Sequence, residues 1–345
     1  MTARGRYCGR AIVVILAVSV LAASGCARTP EAAPRNRPWR VALLQLDDGP
    51  ATRQAADALG DGLRGSGLVA DQDYVLTVLN AHGENAALAA LVGEATRGGA
   101  DTLVAIGTPA VRAALAAKER PPVVFTAVAD PSRAGVPPMG FWRRWLPFLF
   151  SDDGSRVTGA YAEPGYDELL AASAGVISAD GPIGAVVPAG DPDAAAYGDA
   201  LVVAAERSQR RVELEGITTA ADVGAAVARL CDKHIVVLVA LGDPETSGAF
   251  DTLAQAARRC RVPVIGVSRD HAVGGAVFAL ARDTPGAARA AGAMVARLAR
   301  GAQPGDIDVR AVPASGLIVN PEAAEQADIG LPLTLVKRAD EVLEE

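Results

Sequence analysis

The chain has 345 residues, of which half are hydrophobic and only 4% are aromatic. This length and apolar content are sufficient for two hydrophobic cores, so the sequence predicts two domains. The formal net charge is −7, and the sequence has no long run of lysine or arginine. An acidic chain of this kind argues against nucleic acid or anionic lipid as the main binding partner.

The first 26 residues have the pattern of an export signal. Three arginines in residues 1–10 precede an apolar run at 11–22, which is too short to span a bilayer comfortably. The Ala-Ser-Gly-Cys that follows, ending at Cys26, resembles the lipobox of bacterial lipoproteins, although Ala23 replaces the usual leucine. The resemblance implies a signal peptide over residues 1–25 and a lipid anchor on the sulfur of Cys26. The alternative is an ordinary secretory signal or an uncleaved anchor.

Residues 26–39 are rich in proline and polar residues and have no apolar periodicity. They are predicted to form a flexible tether between the lipid and the folded part. Signal and tether together predict a lipid-anchored protein of the bacterial cell envelope. It would be extracytoplasmic, either in the periplasm or on the outer face of the plasma membrane, and the sequence does not say which membrane carries the anchor.

Strands and helices alternate from residue 40 onward. Continuous apolar strands separated by amphipathic helices predict a parallel sheet covered by helices on both faces. The cycle occurs twice, so each half is predicted to be a doubly wound α/β lobe, with a hinge of several crossovers. The predicted strands are 41–46, 74–80, 103–106, 123–128, 183–187, 212–215, 235–241, 262–267, 276–281 and 316–320, and the main predicted helices are 51–64, 85–97, 193–208, 220–231, 245–259 and 285–300.

The stretch 102–131 contains the most informative turn of the first half. Thr108 is predicted to be the N-cap of a helix that has Pro109 as its first residue. In open α/β sheets small ligands bind at the carboxyl ends of the strands, where this helix begins. A helix N-terminus favours an anionic group, for instance a carboxylate. The alternative is that Gly107-Thr108-Pro109 is only a good helix start.

No chemistry beyond binding is indicated by the residue pattern. The three histidines have no metal-ligand spacing, and residues 60–65 fit the GxGxxG pattern but end a helix instead of following a strand. No GxSxG nucleophile pattern is present. The sequence therefore predicts a protein that is not an enzyme, with no metal and no cofactor.

Two cysteines remain in the folded part, Cys231 and Cys260, each near the end of a predicted helix. In an oxidising envelope they could form a disulfide. The alternative is a pair of buried thiols, because the sequence does not give the distance between them.

Several motifs resemble those of bacterial ABC-transporter substrate-binding lipoproteins, in the group that includes tryptophan- and tyrosine-uptake binding proteins. The resemblance implies a type I periplasmic-binding fold, in which two lobes close on a ligand and dock on a membrane permease. The implied N-terminal lobe is 40–134 plus about 284–302, and the C-terminal lobe is 157–283 plus about 303–345. The motifs are VALLQLDDGPATRQAADALGDGL at 41–63, TLVAIGTPAVRAAL at 102–115, PVVFTAVADPSRAGV at 122–136, VPVIGVSRDHAVGGAVFAL at 262–280 and GLIVNPEAAEQADIGLPLTLVKRAD at 316–340.

The resemblance also implies a set of residues in the cleft between the lobes. For an amino-acid ligand, Thr108 and Thr126 would donate to the carboxylate, and one of Asp130, Asp243 or Asp270 would pair with the ammonium. The alternative for each aspartate is a capping or turn residue. The implied ligand-binding residues are Gln45, Gly107, Thr108, Thr126, Asp130, Asp243, Ser268 and Asp270.

Residues 135–156 depart from the family pattern and form an aromatic insertion at the first crossover. They hold two of the three tryptophans and three of the six phenylalanines, beside Arg143 and Arg144. This concentration indicates a contact with the cleft, a membrane surface or another protein. The alternative is a satellite cluster packed on its own lobe.

Together with the sequence patterns, the resemblance implies an extracytoplasmic solute-binding lipoprotein that acts as a monomer. It would capture a small molecule, with amino acids among the candidates, and deliver it to an ABC importer. The alternative is an envelope sensor or adaptor whose ligand-bound form docks on a signalling partner.

Overall fold

The structure of the chain is a computed structural model, which describes residues 37–137, 156–178 and 180–344. The predicted signal peptide, the lipid site Cys26 and most of the tether lie outside these residues. Most of the aromatic insertion at 135–156 lies outside them as well. No helix in the described ranges is both long enough and apolar enough to cross a bilayer.

Strands and helices alternate along the described chain. The strands are β1 Trp39–Gln45, β2 Tyr74–Asn80, β3 Thr102–Ile106, β4 Val123–Thr126, β5 Val157–Ala162, β6 Ile183–Pro188, β7 Val212–Ile217, β8 Val237–Val239, β9 Val264–Gly266, β10 Phe278–Leu280, β11 Arg310–Val312, β12 Leu317–Val319 and β13 Glu341–Val342. The helices are α1 Pro50–Gly65, α2 Asn85–Arg97, α3 Thr108–Ala116, α4 Tyr166–Ser173, α5 Pro192–Arg207, α6 Val223–Asp232, α7 Pro244–Gly248, α8 Phe250–Arg259, α9 Arg269–Val273, α10 Thr284–Ala299, α11 Pro321–Gln326 and α12 Leu333–Arg338. Short 3₁₀ helices lie at Ala220–Asp222 and Pro304–Asp306.

The strands form two separate sheets, each the centre of one lobe. The sheet of the N-terminal lobe has the order β2-β1-β3-β4-β5-β11, and all its neighbours are parallel. The sheet of the C-terminal lobe has the order β7-β6-β8-β9-β10-β12-β13, in which β12 runs antiparallel to β10. The two predicted doubly wound lobes are therefore confirmed, and the fold is of the type I periplasmic-binding kind.

Apolar side chains cover both faces of each sheet, so each lobe has two buried cores. On one face of the N-terminal sheet, α1 and α10 pack against each other and against the strands. Their close approach requires glycine, because a Cβ on Gly62 would lie 2.1 Å from the carbonyl oxygen of Arg289. This contact holds α10, which is late in the sequence, on the N-terminal lobe.

Three segments of chain connect the lobes, at 163–165, 281–283 and 313–316. The sequence division placed residues 157–162 and 310–312 in the C-terminal lobe, and this is wrong for both. β5 pairs with β4, and β11 pairs with β5, so both strands complete the N-terminal sheet. Strand pairing depends on partners distant in sequence, which a local pattern does not specify.

Two predicted elements differ from the structure because the backbone leaves regular geometry. The helix predicted at 245–259 is broken at Ala249 into α7 and α8, where the backbone has φ −106° and ψ 20°. The strand predicted at 123–128 ends at Thr126, because Ala127 has φ 55° and cannot continue a strand.

Cys231 and Cys260 form a disulfide, with their Cα atoms 6.2 Å apart. The bond joins α6 to the residue that follows α8, on one face of the C-terminal sheet. The alternative of two free buried thiols is therefore not what the structure shows.

Candidate ligand-binding cleft

The carboxyl ends of strands from both sheets lie at the interface between the lobes. The contact that shows this joins α3 of the N-terminal lobe to α5 of the C-terminal lobe, because Thr108 Oγ1 donates a hydrogen bond to Asp193 Oδ1 at 2.6 Å. A second contact joins the guanidinium of Arg133 to the carboxylate of Asp199. The lobes therefore meet across the ends of their strands, with both sets of turns facing one cleft.

The start of α3 differs from the sequence prediction. Gly107, with φ 82°, is the N-cap, and Thr108 is the first helical residue. The Thr108 side chain does not cap the helix, and its hydroxyl donates across the cleft instead. The prediction that Thr108 is the N-cap was therefore wrong, because the left-handed backbone that starts this helix suits glycine.

Asp193 occupies the position at which the sequence predicted an anion. Its carboxylate accepts from the Thr108 hydroxyl and, at 3.1 Å, from the backbone N–H of Ala129. Burial raises the pKa of Asp193 above its ordinary value, and the bond from Thr108 opposes that shift. A carboxylate belonging to the C-terminal lobe thus binds the donors around the start of α3.

Asp193 is free for this role because a neighbouring residue caps its helix. The carboxylate of Asp191 accepts from the N–H groups of Asp193, at 2.8 Å, and Ala194, at 3.2 Å. Sequence reasoning did not select Asp193. The signal that could have selected it is the Asp-Pro-Asp that follows β6. One carboxylate is enough to cap a helix, so the second aspartate is available for another contact.

Gln45 and Thr126 lie at the same edge of the N-terminal sheet. In the strand register Gln45 pairs with Ile106, and Ile106 pairs with Thr126, so the three side chains share one face. This is the face on which α1 and α10 pack. Thr126 is fully buried, and its hydroxyl has no hydrogen-bond partner among the residues that the structure describes. A buried, unpartnered hydroxyl is costly to the folded protein, so it marks a point where a ligand could bind.

Asp243 lies at the start of α7, after β8, and is fully buried. Its carboxylate accepts from the N–H of Thr246 at 2.9 Å and from the Thr246 hydroxyl. Burial raises the pKa of Asp243, and the nearby charge of Asp191 raises it further. Asp243 is thus the helix cap that the sequence allowed as an alternative, and it also adds negative charge to this side of the cleft.

Arg282 lies on the crossover from β10 to α10, against three groups of the C-terminal lobe. Its guanidinium carbon is 3.9 Å from the centroid of the Tyr197 ring, and its Nη2 donates to the carbonyl of Leu241. Gly242 makes room for it, because a Cβ there would lie 2.1 Å from the Arg282 Nη2. Sequence reasoning gave Arg282 no role, and no motif around it signals one.

The remaining predicted residues lie in capping and turn positions. Ser268 caps α9 by accepting from the N–H of His271 at 3.2 Å, while Asp270 is exposed on the same short helix. Asp130 accepts from the N–H and hydroxyl of Ser132 at 2.8 and 2.7 Å. It also lines a groove of about 550 Å³ between the lobes on the hinge side.

The fold and the shared cleft define a two-lobed binding protein, and comparison with known families identifies its class. Residues 40–138 and 182–343 match the family described as ABC transporter substrate binding protein. The chain belongs to this family.

Individual relatives agree with this assignment. A tyrosine-binding protein of Clostridioides difficile is 22% identical over 326 residues, which cover 92% of this chain and 91% of that protein. A conserved domain protein from Vibrio cholerae is similar in structure with a TM-score of 0.75 and 25% identity, over 89% of this chain and 100% of that chain. The ABC domain from Streptococcus pneumonia in complex with L-Trp has a TM-score of 0.73 and 19% identity, with the same coverage.

Proposed function

We propose that this chain is an extracytoplasmic solute-binding lipoprotein that captures an amino acid between its two lobes and delivers it to an ABC importer. The observation that carries the proposal is the bridge from Thr108 to Asp193, because it joins the strand ends of one lobe to those of the other. A solute in this cleft would be enclosed by both lobes. Ligand binding would then stabilise the closed arrangement relative to an open one.

The charges around the cleft support an amino acid as the ligand. Asp191 and Asp243 start the helices that follow β6 and β8, and these strands are neighbours in the sheet, so two carboxylates lie at adjacent strand ends and attract an ammonium group to this side. The unpartnered hydroxyl of Thr126 provides a polar group in the opposite lobe. The names of two relatives, a tyrosine-binding protein and a domain in complex with L-Trp, point to the same class of ligand.

The lipid anchor is proposed from the sequence around Cys26. Its test is a Cys26→Ser variant expressed in a bacterial host and compared with wild type by membrane fractionation and labelling with radioactive palmitate. The label and the membrane association should both be lost in the variant. Retention of either one contradicts anchoring through Cys26.

Ligand binding is tested by thermal-shift measurements with the twenty L-amino acids, purine nucleosides and sugars, followed by titration calorimetry of the hits. A ligand at 100 times its Kd stabilises the folded state by about 2.7 kcal/mol, which the thermal shift detects easily. At least one amino acid should bind with saturation. Binding of sugars or nucleosides alone, or of none of these compounds, contradicts the proposed ligand class.

A further inference from the structure

The N-terminus of α3 is already occupied in the closed arrangement of the lobes. The Thr108 hydroxyl, which the sequence analysis assigned to a ligand carboxylate, and the backbone N–H of Ala129 in the loop after β4 both bind Asp193. A ligand carboxylate placed there would meet the Asp193 carboxylate at close range, and like charges so close repel strongly. A carboxylate-bearing solute therefore needs a cation elsewhere in the cleft.

Arg282 is such a cation. It forms no ion pair with a carboxylate of the residues that the structure describes, and its contacts are the Leu241 carbonyl and the Tyr197 ring. Contact with an aromatic face and one carbonyl leaves most of the five N–H donors of a guanidinium unused. Arg282 as a whole is only partly buried.

The position of Arg282 is fixed before any ligand binds. The Tyr197 ring contacts the guanidinium, and the glycine at 242 lets it lie against the backbone. Preorganised donors lose little entropy on binding, which makes a planar guanidinium an efficient partner for a carboxylate.

The crossover also places Arg282 at the interface between the two lobes. β10 ends at Leu280 and α10 begins at Thr284, so Arg282 lies between the two lobes themselves. α10 packs on the same face of the N-terminal sheet that carries Gln45 and Thr126. Arg282 thus lies on the crossover that leads into the helix covering this face of the N-terminal sheet, while its guanidinium contacts the C-terminal lobe.

We propose that Arg282 binds the carboxylate of the ligand, while the start of α3 is reserved for Asp193 as the contact that closes the lobes. This inference rests on the proposed amino-acid ligand. It assigns both counter-charges for a zwitterion to the C-terminal side of the cleft, with Arg282 for the carboxylate and the Asp191–Asp243 pair for the ammonium.

The test is titration calorimetry with L-tyrosine and L-tryptophan and with their carboxamides, which lack only the negative charge. Wild-type protein should bind the amino acids at least about tenfold more tightly than the carboxamides, as expected for a charge-assisted contact. In Arg282→Gln, affinity for the amino acids should fall by about tenfold or more, and affinity for the carboxamides should stay nearly constant. Arg282→Lys should keep part of the preference, because it retains the charge without the bidentate geometry.

The matched control is Arg297→Gln, an exposed arginine in the last turn of α10, at the far end of the helix from the crossover that carries Arg282. A variant that only destabilises the fold would weaken both ligand types equally, so the ratio of the two affinities separates recognition from structure. If Arg282→Gln leaves the ratio of amino-acid to carboxamide affinity unchanged, the assignment is overturned. The result is clearest if Thr108→Val instead loses the preference for the amino acids over the carboxamides. Wild-type protein that binds acids and amides equally also overturns it, whereas wild-type protein that binds neither these two nor any other L-amino acid contradicts the proposed function itself.

Discussion

The hydroxyl of Thr108 donates a 2.6 Å hydrogen bond to the carboxylate of Asp193, and these residues belong to different lobes. Around them, Ala129 donates to the same carboxylate and Arg133 pairs with Asp199. Lobe closure in this protein therefore has its own polar contacts, independent of what a ligand adds.

Removal of the Asp193 contact should open the unliganded protein. A hydrogen bond to a charged group contributes about 1.5 to 3 kcal/mol, so Asp193→Ala should shift the open–closed equilibrium by at least about tenfold. Small-angle scattering should show a larger radius of gyration than for wild type, and saturating ligand should reduce it again. The control is Asp251→Asn, an exposed residue of α8. A radius equal to that of wild type would show that Asp193 does not contribute to closure.

Thr126→Val should change stability and binding in opposite directions. The Thr126 hydroxyl is buried without a partner in the described part of the chain, so its replacement by an isosteric methyl should increase the free energy of unfolding by about 1 kcal/mol. The same change should weaken ligand binding if the hydroxyl contacts the ligand. Urea denaturation and titration calorimetry on one preparation measure both effects.

The control for this experiment is Thr158→Val on the neighbouring strand. The Thr158 hydroxyl donates to the carbonyl of Ile307 at 2.8 Å, so its loss should lower the free energy of unfolding by about 1 to 3 kcal/mol. A fall in stability for both variants would indicate that the Thr126 hydroxyl has a partner in solution.

His271 should make stability depend on pH between about 6.5 and 4. Burial, with a smaller contribution from Arg282, lowers the pKa of His271 to about 4. Nδ1 accepts from the N–H of Val267, so the neutral ring has its proton on Nε2, which lies 3.2 Å from Ser247 Oγ. The unfolded chain takes up this proton below about pH 6.5 and the folded chain only below about 4, so stability is lost as the pH falls through that window.

The size of this effect is on the order of 3 kcal/mol. Chemical denaturation at pH 7.5 and 4.5 should therefore show a smaller pH-dependent loss for His271→Asn than for wild type, even though the variant is less stable at both values. His82→Gln, at an exposed position, is the control. Equal pH-dependent losses in wild type and His271→Asn would contradict a neutral buried His271.

The disulfide should contribute substantially to the stability of the C-terminal lobe. It closes a loop with a sequence separation of 29 residues, for which the chain-entropy estimate is roughly 3 to 4 kcal/mol. Dithiothreitol should lower the Tm of wild-type protein, while a double variant with Cys231→Ser and Cys260→Ser should melt at a lower temperature with no response to the reductant. If dithiothreitol also lowers the Tm of the double variant, its effect on the wild-type protein does not come from this disulfide alone.

Local sequence patterns were sufficient for most helices and strands, because their causes lie within a few residues. β2 and α2 begin and end where the alternation of apolar residues predicted. The two-lobed architecture followed in the same way, from a strand–helix cycle that occurs twice. The candidate positions Gly107, Thr126 and Asp243 could be predicted because they lie at or shortly after the ends of strands, and they remain predictions as ligand-binding residues.

Only the tertiary structure decided which strands belong to which sheet and which side chains meet in the cleft. β5 and β11 joined the N-terminal sheet through pairing partners distant in sequence. Thr108 and Asp193 are 85 residues apart in sequence, and Arg282 reaches Tyr197 and Leu241 only because the crossovers bring the ends of two sheets together. Periodicity records which face of an element is buried, whereas the partner on that face depends on how the whole chain packs.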